Sequence, residues 1–159
     1  MRNFVRSIAR LWSSELGGGP LEDAHAAYDK QDYATARRLY RPLADQGDAW
    51  AQTRLGFMYD LGQGVPQDYV EAHKWFRLAA DQGHAWAQSY LGIMYYLGQG
   101  VPQDYVEAHK WFNLSAARAS ADEKYVRDLG VKTRDRVAGK MTPAQVAEAQ
   151  KRASAWQPK

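Results

Sequence analysis

Apolar positions along this chain recur at helical spacing. Over residues 49–61, Ala51, Leu55 and Met58 fall at i, i+4 and i+7, with Gln52, Gly56 and Tyr59 running beside them. Gly62 suits the left-handed residue that ends a helix. The segment 62–67, with two glycines and a proline, reads as a turn. A second helix starts after Asp68, with Glu71 three residues on, a capping-box spacing in which Asp replaces Ser or Thr. Tyr69, Ala72, Phe76 and Ala79 form its apolar stripe, and Gly83 ends it. No alternating Val/Ile/Thr run signals a strand, so the chain reads as all-α.

This helix pair is a repeat. Laid on residues 83–118 with a shift of 36 and no gap, residues 47–82 are identical at 27 of 36 positions. Gly47 falls on Gly83, Trp50 on Trp86, Pro66 on Pro102 and Trp75 on Trp111. Asp32, Tyr33, Ala36 and Ala44 extend the register upstream, so residues 21–46 are an earlier, shorter copy with a first helix near 21–29. A fixed period in this range marks a solenoid, in which each unit buries its apolar face on its neighbours. Gly56 and Gly92 sit inside helices, where Gly costs about 1 kcal/mol relative to Ala, so close helix–helix approach is expected there. The chain therefore divides into residues 1–20, the repeats at 21–118 (21–46, 47–82 and 83–118), and a terminal region at 119–159. In the last part, residues 121–138 read as one helix weakened by Gly130. Thr142-Pro143-Ala144-Gln145 then opens a final helix over about 143–154, with Val146 and Ala149 inward.

The run Ala51, Leu55-Gly56, Tyr59, Gly62-Gln63-Gly64-Val65-Pro66-Gln67-Asp68-Tyr69, Glu71-Ala72, Trp75-Phe76, Ala79-Ala80 and Gly83 resembles the Sel-one-like repeat (SLR) family, relatives of the tetratricopeptide repeats. It returns at 87–119 with Ser115 and Ala119 as departures. Residues 134–150 look like the C-terminal cap of many bacterial members. The resemblance implies a right-handed α/α superhelical solenoid of antiparallel helix pairs. It also implies a role in assembling protein complexes, often at bacterial membranes or in signalling, and no catalytic residues.

Composition narrows this picture. The 159 residues carry no cysteine, which excludes disulfides and thiolate metal sites. Residues 17–117 hold 8 basic and 12 acidic groups, while residues 118–159 hold 10 basic and 5 acidic. A nucleic-acid-associated or regulatory subunit using the basic terminal third is the alternative; the acidic middle breaks any continuous basic track. His73 and His109 recur at one repeat position and read as helix-surface residues, not a chelate. Glu71 and Glu107 read as caps. No phosphate loop is present. The expectation is a non-enzymatic, cofactor-free scaffold or adaptor without a metal site, cytoplasmic or peripheral at a membrane, with no secretory signal because Arg6 and Arg10 interrupt any apolar core.

Differences between the two full copies locate a candidate site. In the first helix, Thr53/Ser89, Arg54/Tyr90, Phe57/Ile93 and Asp60/Tyr96 differ and share one helical face, while Leu55, Gly56 and Tyr59 do not change. Trp50 and Trp86 lie one turn earlier on the same side. First helices line the concave face of such solenoids. The predicted groove for a protein or peptide partner is Trp50, Arg54, Phe57, Asp60, Trp86, Tyr90, Ile93 and Tyr96, rich in the residue types that anchor interfaces. The second-helix differences (Arg77/Asn113, Ala79/Ser115, Asp81/Ala117, Gln82/Arg118) scatter, and most read as exposed.

Residues 1–16 lie outside the repeat. On a helical wheel Phe4, Val5, Ile8, Leu11 and Trp12 share one arc, and Arg2, Arg6 and Arg10 another. Gly17-Gly18-Gly19-Pro20 separates them from the solenoid. The segment suits an anionic membrane surface or a partner's groove, packing on its own first repeat, or targeting.

Overall fold

A computed structural model describes residues 18–159. Arg2, Phe4, Val5, Arg6, Ile8, Arg10, Leu11 and Trp12 lie outside the described residues. Among the described residues eight helices follow one another: α1 Pro20–Asp29, α2 Tyr33–Asp45, α3 Ala49–Leu61, α4 Tyr69–Asp81, α5 Ala85–Leu97, α6 Tyr105–Arg118, α7 Lys124–Ala138 and α8 Pro143–Ala155. A short 3-10 turn, Ala121–Glu123, precedes α7. Each helix from α1 to α7 packs on its chain neighbours as antiparallel pairs, giving the right-handed solenoid; α8 instead lies on α6.

Side-chain caps fix the starts. Asp48 Oδ1 accepts from the Ala51 amide at 2.8 Å, Asp68 from Val70 and Glu71 at 2.9 and 3.0 Å, and Asp104 from Glu107 at 3.0 Å. Each such cap contributes about 1 kcal/mol. The expected reciprocal half of the capping box does not form at α4 or α6. The Glu71 and Glu107 carboxylates pair instead with Lys74 and Lys110, three residues on. At α8 both halves form, between Thr142 and Gln145.

Small residues let the helices approach. Ala24, Ala36, Ala51, Ala72, Ala79, Ala80 and Ala87 are fully buried. Gly56 sits under the Phe76 ring and Gly92 under Phe112; a Cβ at either would lie 2.7 Å from the ring. Gly130, read from the sequence as a weak point, does the same work: its Cα faces the α6 backbone, where a Cβ would lie 3.0 Å from the Phe112 carbonyl. Buried Gln52 and Gln88 donate from Nε2 to the carbonyls of Ala44 and Ala80, each at 3.1 Å. This repeat-spaced bond gives a second donor to helix-end carbonyls that already accept from the Gly47 and Gly83 amides at 3.0 and 2.9 Å.

Two expectations need correction. His109 is not a surface residue: it is 3% exposed, because α7 covers that face of α6, while His73 on the equivalent α4 face is half-buried. Nor are most second-helix differences exposed. Ala79 and Ser115 are fully buried, and the Ser115 hydroxyl donates to the Ala85 carbonyl at 2.8 Å. Arg77 is half-buried, its guanidinium 5.2 Å from the Trp111 ring centre.

Candidate functional site

The variable stripe of α3 and α5 opens into a cleft of about 320 Å³ lined by Trp50, Thr53, Arg54, Phe57 and Trp86. Trp50 is 44% exposed, and its ring meets the His84 imidazole edge-on with centroids 4.6 Å apart. The Arg54 guanidinium lies 5.0 Å from the Tyr28 ring centre, and among the described residues it forms no ion pair. Phe57 stands edge-on to Tyr90 at 4.4 Å, and Tyr90 in turn stacks on Phe76 at 5.4 Å. Trp86 neighbours the Tyr125 ring of α7 at 5.9 Å, and Tyr125 is 69% exposed. An aromatic series thus runs from α3 across α5 to α7, with one cation in its floor.

The predicted groove does not stay together along its length. Trp50, Arg54, Phe57 and Trp86 surround the cleft, with Tyr90 behind Phe57. Ile93 and Tyr96, at the other end of α5, pack on the core formed by Ala108, Phe112 and Val137, where Tyr96 meets Tyr105 at 5.6 Å. Asp60 is half-buried near the end of α3, and loss of solvent raises its carboxyl above the ordinary range.

His84 was missed. It opposes Asp48 in the repeat register and is the ninth difference between the copies. Both residues cap the following helix. The Asp48 carboxylate does so directly, whereas His84 Nδ1 lies 3.4 Å from the Ala87 amide and 3.1 Å from Thr53 Oγ1. The break in an Asp N-cap pattern was the signal available. His84 also lines a second recess beside the cleft, with Trp50, Arg118 and Glu123.

Burial lowers the pKa of all four histidines, His25, His73, His84 and His109, from 6.5. For His84 the positive end of the α5 dipole further disfavours a charged ring. A depressed folded pKa means that the unfolded chain takes up protons first as pH falls. The histidine contribution to stability is therefore complete above about pH 6.5, and is lost as pH drops through the lower folded values. The melting temperature is expected to be flat between pH 7 and 8 and to fall between pH 6.5 and 5.5, with a shallower fall for His84→Asn. An unchanged melting temperature down to pH 5.5 would contradict this.

Part of the basic terminal third is paired locally. Lys124 pairs with Asp128, Arg134 with Asp135, and Arg152 with Glu148 and Glu107. Among the described residues no His/Cys/Asp/Glu group is arranged to hold a metal, and no helix is long and apolar enough to cross a membrane.

Comparison with known proteins gives a consistent picture. The Sel1 repeat family model matches residues 25–48, 51–84 and 87–120. A crystal structure of a protective antigen present in uropathogenic Escherichia coli strains, displaying an SLR fold, superposes with a TM-score of 0.78 at 29% identity, covering 90% of this chain and 30% of that one. A Sel1 repeat protein from Oxalobacter formigenes gives 0.61 at 31% identity, covering 67% of this chain and 44% of that one. This chain therefore spans less than half the length of either. No curated protein matches the sequence.

Proposed function

The chain belongs to the Sel1 repeat family, whose members generally act as protein–protein interaction scaffolds, and from that premise we propose that it is a non-catalytic adaptor whose partner docks in the Trp50–Trp86 cleft. The observation that carries this is the composition of the opening. Two tryptophans and a phenylalanine surround an arginine that has no carboxylate partner among the described residues. Trp and Arg dominate binding energy at interfaces, and desolvated pockets of this kind take a single anchoring side chain. The chemistry fits a peptide segment that offers an aromatic or aliphatic side chain to Phe57 and the tryptophans, with a carboxylate for Arg54.

A photo-reactive residue placed at position 86 is expected to cross-link the partner in cells, and one at exposed Lys132 is not. Equal labelling from both positions would count against the cleft.

A further inference from the structure

The outer face of the second helices carries a repeated groove that, among the described residues, is covered once and open once. On α6, Leu114 is 6% exposed and the Lys110 side chain 11% exposed. The cover is α8: Arg152 pairs with Glu107 at 3.0 Å, Ala153 joins Leu114 in the core, and Trp156 reaches Trp111 and Gly83. One repeat earlier Val70, Glu71, Lys74 and Leu78 hold the places of Val106, Glu107, Lys110 and Leu114, Asp81 and Gln82 stand where Ala117 and Arg118 do, and among the described residues nothing covers Leu78 as α8 covers Leu114. Val70 is 53% exposed, Leu78 50% and the Lys74 side chain 61%. The floor is also reproduced. Arg41 lies 5.2 Å from the Trp75 ring centre and pairs with Asp45, as Arg77 lies 5.2 Å from Trp111 and pairs with Asp81. Gly83 has Trp156 beside it, whereas a Cβ on Gly47 would meet nothing within 4 Å.

We propose that residues 4–12 of this chain occupy the open groove between α2 and α4, as α8 occupies the groove between α4 and α6. The sequence of the segment fits the vacant positions. Val5, Ala9 and Trp12 repeat the spacing of Ala149, Ala153 and Trp156, of which both alanines are buried. Trp12 then falls at Gly47 and Ala9 at Leu78. Ile8 stands at the place of Arg152, and Arg6 and Arg10 lie within one turn of it, near Glu71, which binds only Lys74 among the described residues. Connection is short. The start of α1 lies beside the end of α2, since the two are antiparallel, and Gly47 follows that end directly. Seven residues, 13–19, can span about 23 Å at ~3.3 Å each, against helix-to-helix steps of about 8–10 Å. The segment would thereby cap the first full repeat from outside, leaving the cleft on the other face untouched.

The absence of native cysteine makes the test direct. In the full chain, Ala9→Cys with Leu78→Cys is expected to give an intramolecular disulfide on mild oxidation, and Ala9→Cys with Val131→Cys is not. Leu78 and Val131 are both exposed, so neither change removes core packing. A disulfide-linked dimer would assign the groove to a second copy, and no cross-link would leave it without this occupant; either overturns the proposal. Amide exchange gives the second reading. Residues 4–12 are expected to exchange at least about tenfold more slowly than in Trp12→Ala. Protection that is absent in buffer and present only with phosphatidylserine vesicles would place the segment on a membrane instead, and overturn the proposal.

Discussion

Replacing Gly100 by alanine is expected to lower stability by about 3–4 kcal/mol and the melting temperature by roughly 10 °C, the largest effect of a single added methyl among the described glycines. Gly100 has φ +69, which disfavours any L side chain. Its missing Cβ would also lie 2.3 Å from the Tyr69 carbonyl oxygen and 2.6 Å from the carbonyl carbon. These are backbone atoms at the start of α4, in the preceding repeat, and backbone cannot rotate aside. The loop after α5 therefore rests directly on the repeat before it, and a methyl there must wedge two repeats apart. Gly83→Ala is the control. It has φ +92, but its Cβ meets only side-chain atoms, the Arg118 tip at 3.4 Å and the Trp156 ring edge at 3.9 Å, so left-handed strain of about 1 kcal/mol is expected. Equal losses in denaturant melts of the two variants would mean that backbone contact between repeats does not hold the array together.

The second large effect concerns binding. Arg54→Ala and Trp86→Ala are each expected to weaken partner affinity by about tenfold to thirtyfold, the range of an interface anchor worth about 1.4–2 kcal/mol. Neither side chain is part of the buried core, so melting temperature and helix content should change little. Ile93→Ala and Tyr96→Ala should behave in the opposite way. They loosen the packing on Phe112 and Val137 and lower stability, with affinity kept within about twofold. Titration of the partner against the four variants, each checked by thermal melt, separates cleft from core. Affinity losses that track stability losses would refute the division.

That division also shows what the sequence could and could not supply. The 36-residue register, the helix bounds and the close approaches at Gly56 and Gly92 follow from local spacing and from identity between copies. Whether a stripe is covered does not, because coverage comes from an element elsewhere in the chain. Leu78 and Leu114 make the point most simply. They are the same residue at the same repeat position, yet one is 50% exposed and the other 6%, because α8 lies over only the second. The same cause separates Ile93 and Tyr96 from the rest of the predicted groove, and buries His109 where His73 stays half-open. The Arg54 cleft was legible because Thr53, Arg54 and Phe57 vary between copies on the side that carries Trp50 and Trp86, while the packing positions Leu55, Gly56 and Tyr59 do not. His84 was equally legible, as a break in the N-cap pattern, once Asp48 and His84 are set side by side.

The most direct measurement of the adaptor reading is an amide-exchange footprint of the bound partner on the full chain. Slowed exchange is expected in the first halves of α3 and α5, around Trp50, Arg54 and Trp86, and at the start of α7 around Tyr125, with the outer faces of α4 and α6 unchanged. A footprint confined to those outer faces, with α3 and α5 exchanging as in the free protein, would contradict the assignment of the cleft as the docking site.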